Sequence, residues 1–462
     1  MTRHRNVAAG VLALVIGVSS FAGGQDSPDS QIAARIESYL KPFIETGNFS
    51  GAVLVARSGK VVFRQAYGMS NYELSVPNSA ETRFHIASVS KPFTAAAILQ
   101  LQEQGKLSVS DPVARFVGMT NGDRITIEHL LTHTSGIPNI NDLSDYDTFA
   151  RSPHQVEDLV GKFANLALDF QPGTNYRYSN SNYNLLALIL EKVSGESYGN
   201  YVQKHILDPA GMHDTGHDGD ALRLVPRAAS GYEPAGVDSY EKATYLDWSN
   251  KTGNGSLYST VDDLLRLDRA LNSDIVLKKA TRDRYFVEGK GNRFGWFQRK
   301  RGTHRVMSSN GRSPGFTAQL DRFPDDDVTV IVLSNSYSTV SQDPIATGLG
   351  AIALGEEPEK APQLRPASVS QTLLNSYAGD FQYGSDYFVP DGKVTVTAQS
   401  GSLLMALGSF RTPLVALSEN EFLDRNFLAH VVFTRDVGGG VTGLKYVYAG
   451  KEFAAKRLSG NR

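Results

Sequence analysis

The sequence predicts an α/β fold of the α+β kind. An antiparallel sheet is flanked by helices, a helical region separates its early and late strands, and a small all-β sandwich or barrel follows. Three observations predict it. Strand pairs joined by tight turns stand early and late in the long N-terminal part, with helical patterns between them. A proline-rich stretch then interrupts the chain. Beyond it, short segments with period-2 alternation are separated by glycine-containing turns.

The elements follow in order. At 462 residues the chain exceeds what one compact core usually holds, and 41% hydrophobic residues suit globular cores. Arg3 and Arg5, then the apolar run Val7 to Val18, then Ser20-Phe21-Ala22, read as an export signal. Cleavage is expected after Ala22 or Gly24, which makes residues 1–24 a signal and the protein periplasmic or secreted in a bacterium. The run is too short to span a bilayer comfortably, and no stable membrane span is expected after cleavage. Ile32, Ile36, Leu40 and Phe43 repeat at helical spacing. Gly51 to Arg57 and Lys60 to Tyr67 flank Ser58-Gly59 as a hairpin. Helical patterns and loops fill roughly 111–212, among them Ile127 to Leu131 and Asn184 to Val193. Val261 to Leu271 follows Ser259-Thr260, a capping signal. Gly315 to Phe323 and Asp327 to Asn335 are strands joined at Pro324-Asp325-Asp326, and a helix covers Asp343 to Ala353. The first folded unit is expected over 25–354, a linker over 355–367, and a β-rich domain over 368–462, with strands at Lys393–Ala398, Leu403–Leu407, Ala429–Arg435 and Gly443–Tyr448.

Composition narrows the function. The formal net charge is −2, and no basic stripe with interleaved aromatics occurs, so nucleic acid is not an expected partner. There is no cysteine, which excludes disulfides, thiol nucleophiles and cysteine metal sites. The ten histidines form no zinc-hydrolase pattern, and neither metal nor cofactor is expected.

The chemistry centres on Ser88-Val89-Ser90-Lys91. Residues i and i+3 of a helix share a face, so the Ser88 hydroxyl and the Lys91 amine can meet. Pro92 belongs in a first turn, which starts the helix near Ser88 and puts the nucleophile at the positive end of its dipole. Ser90 adjoins Lys91 and points elsewhere. A second element, Tyr176-Arg177-Tyr178-Ser179-Asn180, lies on a loop just before a helix. A tyrosine there can relay protons if nearby cations lower its pKa, and an asparagine can orient a lysine or a substrate amide. A third, Ser308-Ser309-Asn310-Gly311-Arg312-Ser313-Pro314-Gly315-Phe316, reads as a glycine-rich strand edge or a turn ahead of the Gly315–Phe323 strand. His129 and His133 are expected to hold a loop by hydrogen bonding, with no part in the chemistry.

Phe84 to Ala95, Leu107 to Val113 and Ile125 to Pro138, with Tyr178-Ser179-Asn180 as a Y-x-N motif, resemble the serine β-lactamase and penicillin-binding-protein superfamily. The similar branch holds class C β-lactamases, D-alanyl-D-alanine carboxypeptidases, D-aminopeptidases and β-lactamase-like carboxylesterases. The likeness covers roughly 31–350, and Gly253 to Leu264 and Ser313 to Phe316 add to it. The resemblance implies a β-lactamase/transpeptidase-like fold and an acyl-enzyme on Ser88, with Lys91 as base and Tyr178 as proton shuttle. It also implies that Asn180 positions Lys91 and the acyl group, and that the backbone N–H groups of Ser88 and Arg312 form the oxyanion hole. The C-terminal segment, with Tyr377-Ala378-Gly379-Asp380-Phe381, resembles lipocalin-like accessory domains of that branch.

One departure stands out. The family's third motif, Lys or His then a small residue then Gly, falls on Ser309-Asn310-Gly311, so serine replaces the cation. That loss disfavours substrates carrying a carboxylate, and Arg312 and His304 are the candidates to replace the charge. The expected substrate is a small molecule or peptide, with an ester, a D-amino-acid peptide or a β-lactam as the bond cleaved. The alternative is a binding or scaffold protein of the same fold that has lost turnover, favoured by Ser309 and opposed by the Ser88, Lys91 and Tyr178 set. The sequence specifies no oligomeric state.

Overall fold

The computed structural model describes residues 28–458 apart from 46, 236–238, 338–341, 362–365, 400, 409 and 449. The expected export signal and part of the expected linker lie outside the described residues. A seven-stranded antiparallel sheet runs, in spatial order, Asn292–Arg293, Trp296–Arg301, His304–Ser313, Phe316–Phe323, Val328–Ser334, Gly51–Arg57 and Lys60–Tyr67. The N-terminal hairpin therefore meets the late strands, with Gly51 opposite Ser334 and Arg57 opposite Val328.

The central strands Phe316–Phe323, Val328–Ser334 and Gly51–Arg57 are buried at nearly every position because both sheet faces are covered. Val53, Val55, Val330 and Val332 face the helices Pro28–Glu45 and Gln342–Leu354, meeting Ile36, Leu40, Phe43, Ile345 and Leu349. Leu54, Leu320, Ile331 and Leu333 face the other way, onto a larger core shared with the helical region. The middle of that core is the Lys91–Glu103 helix, buried from Lys91 through Leu99. A helix buried all round reads as apolar on every face, as Phe93-Thr94-Ala95-Ala96-Ala97-Ile98-Leu99 does.

The C-terminal part is a closed barrel of eight antiparallel strands, so of the two expected architectures the barrel is the one present. Four strands beyond those read from alternation complete it: Gly379–Tyr383, Phe410–Ala416, Glu421–Asp424 and Lys451–Arg457. The last closes the barrel on the first, with Phe381 opposite Arg457. Arg425, only 1% exposed, joins the barrel to the first unit. Its Nε donates to Asn48 Oδ1 at 3.1 Å, its Nη2 donates to the Gly47 carbonyl at 2.8 Å, and its guanidinium lies over Tyr240. No helix among the described residues is long and apolar enough to cross a membrane.

The Ser308–Phe316 stretch, read from the sequence as a strand edge or a turn, is mostly strand. Its first six residues belong to the ten-residue His304–Ser313 strand, and the turn is Pro314-Gly315 alone. Serine, asparagine and glycine are poor strand formers, and the neighbouring strands on both sides supply the pairing.

Candidate active site

Ser88 sits in a single 3-10 turn, Ala87–Ser90, that runs straight into the Lys91–Glu103 helix. Ala87 has φ +45°, a left-handed conformation that a residue with a side chain adopts only where its surroundings impose it. No signal in the sequence marks it, since alanine does not announce positive φ. Ser90 is turned away and buried, its Oγ accepting from Leu257 N–H at 3.1 Å.

Lys91 is 0% exposed. Its Nζ lies 3.0 Å from Ser88 Oγ, 2.8 Å from Asn180 Oδ1 and 2.8 Å from the Asn254 carbonyl. Burial, then the nearby charge of Lys251, pushes its pKa well below the ordinary lysine value. A neutral amine has two N–H donors and one lone pair. Both carbonyl-type oxygens can take the donors, leaving the lone pair for the Ser88 hydroxyl proton. An ammonium would have three donors and nothing with which to accept that proton.

Tyr178 OH donates to Ser88 Oγ at 3.0 Å from the other side. Burial pushes its pKa up, with Tyr176 adding to the rise and the Ser88 hydrogen bond opposing it. The condition set by the sequence, cations lowering this phenol, is therefore not met, because burial raises it. Tyr178 is a neutral phenol donating to the Ser88 oxygen.

The loop that carries Tyr178 is held from below. His133, fully buried, stacks on the Tyr178 ring with centroids 4.4 Å apart, and its Nδ1 accepts from Ser179 N–H at 3.1 Å. Burial lowers its pKa to about 3, so it stays neutral. His129 closes a capping box with Thr126. Asn180 begins the Asn180–Ser194 helix, and its Nδ2 donates to Asn141 Oδ1 at 2.7 Å, which turns its carbonyl oxygen to Lys91.

The third-motif residues reach the same place by backbone. A Cβ at Gly311 would lie 2.1 Å from the Ile86 carbonyl oxygen and 2.9 Å from Ser88 N, so the strand passes directly over the Ser88 turn. Ser309 shares Gly311's face of the strand and is 1% exposed. Asn310 and Arg312 share the other face, where Arg312 is exposed. His304 does not join the cluster. It lies at the far end of the strand, ion-paired with Asp326 at 2.9 Å and Glu356 at 3.4 Å, and these partners hold its pKa up. Five residues of strand put it about 17 Å from Ser309. It cannot replace the missing cation.

Sequence reading missed two contributors, the carbonyl of Asn254 and the charge of Lys251. Both belong to the Lys251–Gly255 turn, where Gly253 has φ +81° and a Cβ would strike the Tyr183 carbonyl. The glycines were the available signal, since a turn packed this tightly presents backbone to whatever lies beneath. Among the described residues, no group of three or more His, Asp or Glu is placed to hold a metal ion.

Comparison with known proteins identifies the family. The family model described as Beta-lactamase matches residues 34–354. A penicillin-binding protein of Bacillus subtilis (strain 168) is 30% identical over 426 residues, covering 87% of this chain and 93% of its own. The crystal structure of a penicillin-binding protein from Bacillus halodurans superposes with TM-score 0.58 at 26% identity, over 69% of this chain and 97% of its own. An octameric penicillin-binding protein homologue from Pyrococcus abyssi shares the fold over 92% of this chain and 99% of its own, with TM-score 0.63 and 23% identity. A family model matched over residues 34–354, together with a relative 30% identical over 87% of this chain, means that the chain belongs to the beta-lactamase family and is a serine hydrolase of that general kind.

Proposed function

We propose that the protein is an exported acyl-transfer hydrolase of esters or amides, working through a Ser88 acyl-enzyme. The observation that carries this reading is Ser88 Oγ held at 3.0 Å from both a buried Lys91 amine and the Tyr178 phenol. Ser88 Oγ attacks the substrate carbonyl carbon, and its proton passes to the Lys91 lone pair. As the tetrahedral intermediate collapses, Tyr178 gives its proton to the leaving group and regains one from the Lys91 ammonium. Water repeats the sequence to free the acid and Ser88.

The strand register supports an oxyanion hole at Ser88 and Arg312. The two-residue Pro314-Gly315 turn makes Ser313 and Phe316 the hydrogen-bonded pair. Alternation then directs the N–H of Arg312 away from the neighbouring strand. The Trp296–Arg301 strand pairs only as far as Ser308, so that edge is open beside Ser88. Export rests on the basic and apolar start of the sequence.

The test is intact-mass spectrometry with a fluorophosphonate. One adduct is expected on the wild type and none on Ser88→Ala. No adduct on either protein would overturn the reading in favour of a scaffold that has lost turnover, the alternative that Ser309 favours. A lasting adduct with a penicillin would place the substrate on the D-amino-acid peptide side.

Arg312 supplies the one charge of the third motif, on the face it shares with Asn310. Its exposure supports a role in binding a substrate carboxylate lying outside the strand. Arg312→Ala is expected to raise KM about tenfold for a carboxylate-bearing ester and to leave its neutral methyl ester within twofold. Equal effects on the two substrates would remove Arg312 from recognition.

A further inference from the structure

We propose that the C-terminal barrel is a binding site for a small organic ammonium, its apolar body inside the barrel and its cationic head on Asp424. The barrel interior holds a cavity of about 310 Å³, with room for about ten water-sized groups. An eight-stranded barrel is just wide enough to be filled by side chains or to hold one small ligand, and this one is not filled. Five aromatic rings line the cavity: Tyr387, Phe388, Phe427, Tyr446 and Tyr448. Their faces attract a cation.

Asp424 is the one acid in the lining and is 1% exposed. Its Oδ1 is occupied by Thr412 Oγ1 at 2.5 Å, Asn426 N–H at 2.9 Å and Phe427 N–H at 3.2 Å. Its Oδ2 accepts only from Tyr446 OH, at 2.9 Å, and keeps capacity for another donor. All four donors are neutral, and among the described residues no cationic side chain pairs with Asp424. Neighbouring Arg425 points the other way, to Gly47 and Asn48. A buried carboxylate without a countercharge is unfavourable, and burial accordingly raises its pKa. A cation entering the cavity would supply what the fold leaves out.

The entrance fits the same ligand. The loop between Tyr383 and Lys393 leaves Phe388 61% and Val389 48% exposed. It carries Asp386 and Asp391 and neither lysine nor arginine. An apolar rim with negative charge favours an amphiphile with a positive head over one with a carboxylate.

The test is calorimetric titration of the full chain at neutral pH with octylamine, 1-octanol and octanoate, which share a tail and differ in the head. Octylamine is expected to bind at least tenfold more tightly than the other two. Asp424→Asn is expected to bring octylamine down to the octanol affinity. Leu407→Trp, which fills the cavity from its wall and leaves the carboxylate in place, is expected to abolish binding of all three. Near-UV circular dichroism checks that each variant is folded; should Asp424→Asn not fold, the ranking on wild type and the Leu407→Trp result carry the test. The proposal is overturned if octanol or octanoate binds as tightly as octylamine, if none of the three binds, if a folded Asp424→Asn keeps the preference, or if Leu407→Trp still binds octylamine.

Discussion

Replacing Lys91 with methionine is expected to slow fluorophosphonate labelling of Ser88 by about a thousandfold, within the range a positioned general base contributes. Methionine fills similar space, but its thioether sulfur is far too weak a base to take the Ser88 proton. In the wild type the labelling rate should rise with pH and level off well below 10.5, the ordinary lysine value, because only the neutral amine is active and burial lowers the pKa. Stability carries the same signature. The unfolded chain takes up a proton on this lysine below about 10.4, and the folded chain does not until its own lower pKa is reached. Between those two values, stability contributed by this group rises with pH. Denaturant melts of Lys91→Met should lose that slope. A labelling rate that is flat with pH, or unchanged in Lys91→Met, would remove Lys91 as the base.

Gly311→Ala is the second large effect. The added methyl would meet the Ile86 carbonyl oxygen at 2.1 Å and Ser88 N at 2.9 Å, both backbone atoms that no rotamer change can move. Either the strand or the Ser88 turn must shift. Overpacking of this kind costs about 1–3 kcal/mol. Displacing the Ser88 N–H by an ångström is expected to slow labelling about a hundredfold. A thermal melt and the labelling rate, measured on the same sample, separate the two consequences. Labelling within twofold of wild type would show that the strand does not hold the Ser88 turn in place.

Much of the fold was legible because its signals are local. The Gly51–Arg57 and Lys60–Tyr67 hairpin shows in its β-rich runs and Ser-Gly turn, and the Pro28–Glu45 helix in Ile32, Ile36, Leu40 and Phe43. Strands with weak local patterns were not legible. Trp296–Arg301 holds Gln298, Arg299 and Lys300, and only its partner strand makes it a strand. Glu421–Asp424 is too short to alternate, and barrel closure gives it its place.

The candidate site divides in the same way. Ser88 and Lys91 are close in sequence, and helical geometry alone puts them on one face. Tyr178 and Asn180 were identified by motif, but their contacts with Ser88 and Lys91 span about ninety residues and exist only once the chain is packed. The sequence by itself determined which residue types stand at these positions, the order of elements around them, and the absence of a cation at 309. Only the tertiary structure decided their protonation. Burial pushes the Lys91 amine's pKa down and the Tyr178 phenol's up, Lys251 lends charge from a distant turn, and His304 is carried out of reach along its strand. The physical reason is that pKa values follow desolvation and through-space charge, which depend on what lies around a group in three dimensions and not on its neighbours along the chain.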